Sequence, residues 1–161
     1  MANIKPVYAT EATLTWTPAS LANGSYDASE DVSNTTNRYR DVIVRGKIRT
    51  GTSPTSGGTF TIFAYGSLDG TAFTGGLSGN DGGTPAAGNE GILLRRVLEV
   101  VSVNSTSDVD YNWGPVSLAS VFGGVLPPYW GIGIVNNTGV ALNATGGNHE
   151  TKYVGVYDEA A

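Results

Sequence analysis

The chain contains no cysteine, a single histidine and a single methionine, and Asp, Glu, Lys and Arg together make up only 14% of its 161 residues. An ordinary soluble domain carries roughly 25% charged residues. The missing cysteines exclude disulfides, thiolate zinc, iron–sulfur clusters and cysteine nucleophiles. One histidine leaves any Ser-His-Asp arrangement dependent on His149 alone, and no Gly-x-Ser-x-Gly elbow precedes a helix. We therefore expect no enzyme, no cofactor and no bound metal, with His149 structural or solvent-exposed. Long hydrophobic runs are also absent, and the mean hydropathy is −0.08, so no membrane partner is expected. The first twenty residues hold no apolar stretch of the roughly 7–15 residues that a secretory signal needs. Positive charge is scarce as well: nine Lys and Arg stand against fourteen Asp and Glu, a net charge of −5. Wrapping nucleic acid requires a basic excess to displace counterions, so that partner is not expected.

What fills the chain instead is Gly (23 residues), Ser, Thr and Asn, a composition of strands and turns. Five Asn-x-Ser/Thr triplets, beginning at Asn23, Asn34, Asn104, Asn136 and Asn143, read as turn chemistry. Hydrophobicity alternates with a period of two. In Ala12–Thr17 the even positions are apolar and the odd ones are all Thr, the pattern of a half-buried strand. From Tyr39 to Arg49, Val42, Val44 and Ile48 share one face, and Asp41, Arg45, Lys47 and Arg49 share the other. Thr59–Tyr65 is apolar on both faces, as a central strand would be, and ends in an Asp69-Gly70 turn. Ile92–Val103 also fits an amphipathic helix, but the β-branched valines at its end favour a strand, bulged near Arg95-Arg96. Val109–Trp113, Trp130–Val135, Val140–Ala144 and Thr151–Tyr157 read as further strands. The one good helical candidate is Ser117–Phe122, stopped by Gly123-Gly124 and Pro127-Pro128. About eight strands separated by turn clusters predict an all-β chain, an antiparallel β-sandwich that is jelly-roll-like, with long Gly-rich loops and at most one short helix. Residues 1–161 form one such domain, with 1–10 as an extended N-terminal arm. Asn23–Asn37 and Ser78–Asn89 are too polar to be core.

Other candidate chemistry is thin. Gly46-Lys47 is followed by Ile48 inside a strand and lacks the Ser/Thr of a phosphate loop. Asp108-Val109-Asp110 and Asn80-Asp81 lack the remaining ligands of a calcium loop. Among the aromatics, Trp16 and Trp130 lie in apolar runs and are expected to fill the core. Trp113, between Asn112 and Gly114, is the tryptophan expected at the surface, where it could serve a sugar-stacking platform. Against the acidic background, five of the nine basic residues (Arg38, Arg40, Arg45, Lys47, Arg49) fall within twelve positions. Alternation places Arg45, Lys47 and Arg49 on one strand face. They read either as a solvated face paired with acids on the neighbouring strand, or as a docking stripe for an acidic protein, flanked by the loops from Asn23 and Ser78.

The runs Phe122-Gly123-Gly124-Val125-Leu126-Pro127-Pro128-Tyr129-Trp130-Gly131, Val135-Asn136-Asn137-Thr138-Gly139 and Ala141-Leu142-Asn143-Ala144-Thr145-Gly146, with Ser20-Leu21-Ala22-Asn23-Gly24 and Ala64-Tyr65-Gly66-Ser67-Leu68-Asp69-Gly70 upstream, give the chain a texture over most of residues 12 to 157. In this the chain resembles small virion structural proteins of tailed bacteriophages, of the capsid decoration (cement) kind. The resemblance lies in turns and core positions. It implies a non-enzymatic protein on the outer capsid surface of the virion, partnered by the major capsid protein and by copies of itself as a dimer or trimer. A tail or fibre component and a carbohydrate-binding module are the alternatives. The residues offered for docking are Arg45, Lys47 and Arg49, with Ile4, Val7 and Tyr8 of the arm as the second choice.

Overall fold

A computed structural model describes residues 3–160. Ten strands run in chain order: β1 (Ile4–Tyr8), β2 (Ala12–Thr13), β3 (Tyr26–Ala28), β4 (Val32–Ser33), β5 (Asp41–Arg49), β6 (Thr59–Ser67), β7 (Val97–Ser102), β8 (Asp110–Ser117), β9 (Tyr129–Asn137) and β10 (Glu150–Ala160). Sheet A has the order β1-β10-β5-β8, with the short β2 also on β10; sheet B has the order β3-β9-β6-β7, with the short β4 also on β9. All pairings are antiparallel. The first strand thus lies beside the last, the third beside the ninth, and the chain winds inward between the two sheets, which is the jelly-roll wrap. One short helix, α1 (Glu90–Leu93), and three 3-10 turns complete the elements among the described residues.

The alternation read from β5 sets the core. Val42, Val44 and Ile48 face inward with Phe60, Ile62 and Ala64 of β6, Trp113 of β8, and Trp130, Ile132 and Ile134 of β9. The Trp130 and Tyr153 rings meet edge to face at 5.2 Å, tying sheet B to β10 of sheet A. Burying a side chain of this kind contributes about 1.5–3 kcal/mol, so the inter-sheet layer dominates the stabilisation.

Sheet B is covered on its outer face as well. Phe63 and Tyr65, on the outward positions of β6, pair in register with Gly133 and Gly131 of β9, and each ring lies over the bare backbone of its partner. The excursion between β6 and β7 then folds back over these rings. Phe73, Leu77 and Leu93 form a second apolar cluster with Phe63, Tyr65 and Ala28. Backbone bonds fix the Gly-rich stretch to β3 and its surroundings: Gly82 N–H donates to Ala28 O (3.0 Å), and Asp31 N–H donates to Gly79 O (2.8 Å).

Several local expectations are corrected. Ala12–Thr17 keeps its alternation, with Leu14 buried, Ala12 and Trp16 half-buried and the three threonines exposed. Only Ala12–Thr13 are strand, however, because the chain then leaves β10 and crosses to sheet B, where Glu30 N–H donates to Thr15 O (3.0 Å). Ile92–Arg96 is not strand: the α1 turn and the bend after it deliver the chain to Val97, and the register of β6 and β7 shifts opposite Phe63. Val140–Ala144 contributes one isolated bridge, Thr50 with Leu142. The helix expected over Ser117–Phe122 is a 3-10 turn at Ala119–Phe122, ended by Gly123 at φ 79°. Asn23–Asn37 supplies β3 and β4 and buries Asp27, Ala28, Ser29 and Asn34, since hydrogen bonds satisfy these polar groups within the fold.

Candidate functional site

Sheet A has no such cover, and its outer face gathers both sets of candidate contacts. Arg45, Lys47 and Arg49 of β5 stand on this face. In register beside them lie Lys152 and Glu150 of β10, and Asn112 and Asp110 of β8. Further along the same face, the register aligns Ile43 with Val154, and Val156 with both Asp41 and Tyr8. Ile4 and Tyr8 point outward and are exposed, whereas Val7 is turned to the other side of β1 and half-buried. One sheet therefore carries a charged half and an apolar half.

The charged half is internally paired. Arg45 Nη2 lies 2.7 Å from Glu11 Oε2, and Lys152 Nζ lies 3.4 Å from the other oxygen of the same carboxylate. Arg49 Nε lies 2.6 Å and Lys47 Nζ 3.6 Å from the Asp110 carboxylate, while Lys152 also reaches Glu150 at 3.6 Å. Four cations meet three carboxylates. Hydrogen bonds from Arg45 and Lys152 hold the Glu11 carboxyl below its usual range, and those from Arg49 do the same for Asp110. These pairs are solvent-accessible, and such pairs typically contribute about 0–1 kcal/mol each to stability. Their effect is to fix an alternating charge pattern on this face. The more apolar half holds a groove of about 440 Å³, lined by Ile43, Val156, Pro6 and Tyr8 and by Arg40, which pairs with Asp158 at 3.3 Å, with Ala119 and Ser120 of the 3-10 turn along one wall. Asp41 fixes that wall, accepting from Ser117 Oγ (2.7 Å) and Ala119 N–H (2.8 Å).

Three expectations about these residues change. Residues 4–8 of the expected arm are β1, paired with β10 along its whole length; this part of the chain is an edge of the body, and it cannot extend to a neighbour while that ladder holds. The loops from Asn23 and Ser78 do not flank the basic stripe. They belong to sheet B on the opposite side, because their glycines and short polar residues let them pack against β3 and β9. Trp113 is not at the surface: it is 1% exposed, its ring lying over Gly46 in the core. With Trp130 also buried and the Trp16 indole N–H donating to Asp27 Oδ1 (2.6 Å), the tryptophan that carried the sugar-platform reading is gone from the surface. The position of Trp113 was open to alternation: Tyr111 and Trp113 alternate with the outward Asp110 and Asn112.

The remaining chemical candidates are occupied within the fold. His149 is buried; its Nε2 donates to Asn143 O (2.8 Å), and its Nδ1 accepts from Arg49 N–H (3.4 Å). That pattern fixes the neutral tautomer. Burial lowers its pKa, and Lys47 and Arg49 add to the effect. Asp108 accepts from Asn143 Nδ2, and Asp81 accepts from the Thr17 N–H and hydroxyl. Among the described residues no group of three or more His, Asp and Glu is placed to hold a metal.

No known family model matches the chain, and a comparison with the curated proteins finds no match.

Proposed function

We propose that this protein is a non-enzymatic structural component of a bacteriophage virion, a decoration protein that docks on the outer capsid shell through the uncovered face of sheet A. The observation that carries the reading is the asymmetry of the sandwich: the Phe63–Tyr65 region of sheet B is covered by the chain's own β6–β7 excursion, while the outer face of sheet A carries no such layer and bears Arg45, Lys47, Arg49, Ile4 and Tyr8 together. The resemblance of the sequence to phage virion proteins supplies the kind of partner, the major capsid protein. A jelly roll hosts capsid and lectin domains alike, so the fold by itself does not select the function. The charge pattern suits a polar rim that sets register, and the groove beside Tyr8 suits a small apolar anchor.

The test is co-sedimentation with bare shells of the parent particle at low and at physiological salt. Charge pairing across the contact is screened beyond roughly 8 Å at physiological ionic strength, so binding weakens as salt rises. The double reversal Arg45→Glu with Lys47→Glu reduces binding, and Tyr8→Glu reduces it independently by placing charge in the apolar half. Unchanged binding of both variants at both salt concentrations removes sheet A as the docking face. Co-sedimentation with isolated tails in place of shells favours a tail component. Light scattering of the free protein reads the expected dimer or trimer.

A further inference from the structure

A second cleft lies on the other side of the Ala119–Val125 segment from the docking groove, where the turn after β6 meets the segment leading into β9. It encloses about 580 Å³, and its walls are apolar: Leu68 and Phe73 on one side, Phe122 and Val125 on the other. Leu68 is 83% and Val125 74% exposed. Large apolar side chains this open to water gain when a partner covers them.

Neither can readily fold away, because the backbone beneath each is pinned. Beside Leu68, Asp69 Oδ1 accepts from Ser67 Oγ (2.8 Å) and from the Thr71 and Ala72 N–H groups (2.9 Å each). Beside Val125, Gly124 N–H donates to Ala119 O (2.8 Å) and closes the turn, and Pro127-Pro128 restricts the chain that follows. A surface already in its bound form loses little entropy on binding.

The cleft also holds one charge. Arg96 is the only ionisable side chain in its lining. Its guanidinium stacks over the Phe122 ring at 5.2 Å, and Nη1 lies 3.4 Å from Thr74 Oγ1. Among the described residues no carboxylate pairs with it, whereas Arg40, Arg45, Lys47, Arg49 and Lys152 on the sheet A side all have carboxylate partners. In a chain of net charge −5, an oriented, unpaired guanidinium between exposed apolar walls is complementary to a carboxylate carried beside an apolar group.

We propose that this cleft binds an extended segment of a partner protein in which an acidic residue neighbours a large apolar one, the carboxylate pairing with Arg96 and the apolar side chain seated between Leu68 and Val125. The proposal does not depend on the docking face, which lies beyond the 3-10 turn at Ala119–Phe122.

The experiment screens a bead-displayed library of capped random heptapeptides against the labelled full-length protein, in parallel with Arg96→Gln and with the double variant Leu68→Ser, Val125→Ser. The parent should enrich Asp or Glu beside Leu, Ile or Phe. A recovered peptide resynthesised with its acid as the amide should bind the parent at least fivefold more weakly, and Arg96→Gln should bind both forms alike. The double variant should lose both. Leu68 and Val125 are exposed, so their replacement leaves the melting midpoint near that of the parent. The acid-to-amide comparison on the parent needs no variant, which keeps the test valid if Arg96→Gln disturbs folding. Absence of any enriched pattern, or enriched peptides indifferent to the amide change, overturns the proposal. Shell co-sedimentation by Arg96→Gln stays at the parent level, so failure here is separable from failure of the docking face.

Discussion

Asp27 shows how much one side chain can do at the boundary between the sheets. It sits on β3 with 9% exposure, accepts from the Trp16 indole and lies near Asp81. Burial pushes its pKa up to about 6 from an ordinary 3.8, and the Trp16 bond offsets only part of that. The folded state therefore binds the proton more tightly than the unfolded one. The contribution of Asp27 to stability is most favourable where it is protonated in both states, below pH 3.8, and falls as pH rises toward 6. Above that the full penalty of roughly 3 kcal/mol applies. Asp27→Asn keeps an acceptor for Trp16 and removes the charge, so at pH 7 it should raise stability by up to about that amount, with the gain fading by about pH 4. Urea midpoints of variant and parent at the two pH values check this as a difference, in which the other carboxylates cancel. No gain at pH 7 would mean that the site accommodates the carboxylate without penalty. His149 acts in the opposite sense: its lowered pKa makes its contribution complete above pH 6.5 and erodes it as pH falls below that value. Gly46 is the other decisive single residue. A Cβ there would stand 2.5 Å from Glu150 O and 2.6 Å from the Trp113 ring. Gly46→Ala should destabilise by about 1–3 kcal/mol, since neither neighbour can move without disturbing β10 or the core; an unchanged thermal midpoint would show that the ring has room to shift.

At the scale of elements, the exposed edge of sheet A is guarded. Ala9 N–H donates to Gly155 O at 2.8 Å. Following the β1–β10 register from that bonded pair, the backbone groups of Val7 and Lys5 turn toward β10, and those of Tyr8, Pro6 and Ile4 turn to the open edge. Proline in the middle of that row removes a donor where another strand would add. Pro115 occupies β8, the strand at the opposite side of the sheet. Copies of this chain are thus steered toward association through faces and loops. Pro6→Thr should restore the donor and produce concentration-dependent self-association in gel filtration while leaving the urea midpoint nearly unchanged; elution identical to the parent at every concentration would show that something else protects the edge. In sheet B, glycine does the corresponding work: Gly131 and Gly133 of β9 leave seats for Tyr65 and Phe63, so the β6 rings lie flat and the excursion can close over them.

For the molecule as a whole, that closure decides which surface is free. Leu93 is fully buried and packs over Gly75 and the aromatic pair on sheet B. Leu93→Ala should cost about 2–5 kcal/mol, as other core truncations do. If the excursion is a separate layer, the same variant should also raise hydrogen exchange at Gly79–Gly83 more than in β5. Uniform exchange would show that the two apolar clusters unfold as one.

Much of this architecture was legible along the chain. The period of two in Tyr39–Arg49, the apolar run of Thr59–Tyr65 and the turn clusters between them carry the β-sandwich, because a side chain's face on a strand depends only on its parity. The shared face of Arg45, Lys47 and Arg49 follows for the same reason. What parity cannot carry is the partner across the gap. That Glu11 and Asp110 neutralise the stripe, and that β1 lies against the last strand and brings Tyr8 onto the same face, depend on contacts between residues far apart in sequence; the inward side of Trp113 follows from parity, and only its seat over Gly46 does not. The same holds for the Gly-rich excursion, whose buried apolar residues (Phe73, Leu77, Leu93) are too widely spaced for any local period. Their burial is decided only when Phe63, Tyr65 and the glycines of β9 present them with a surface to cover.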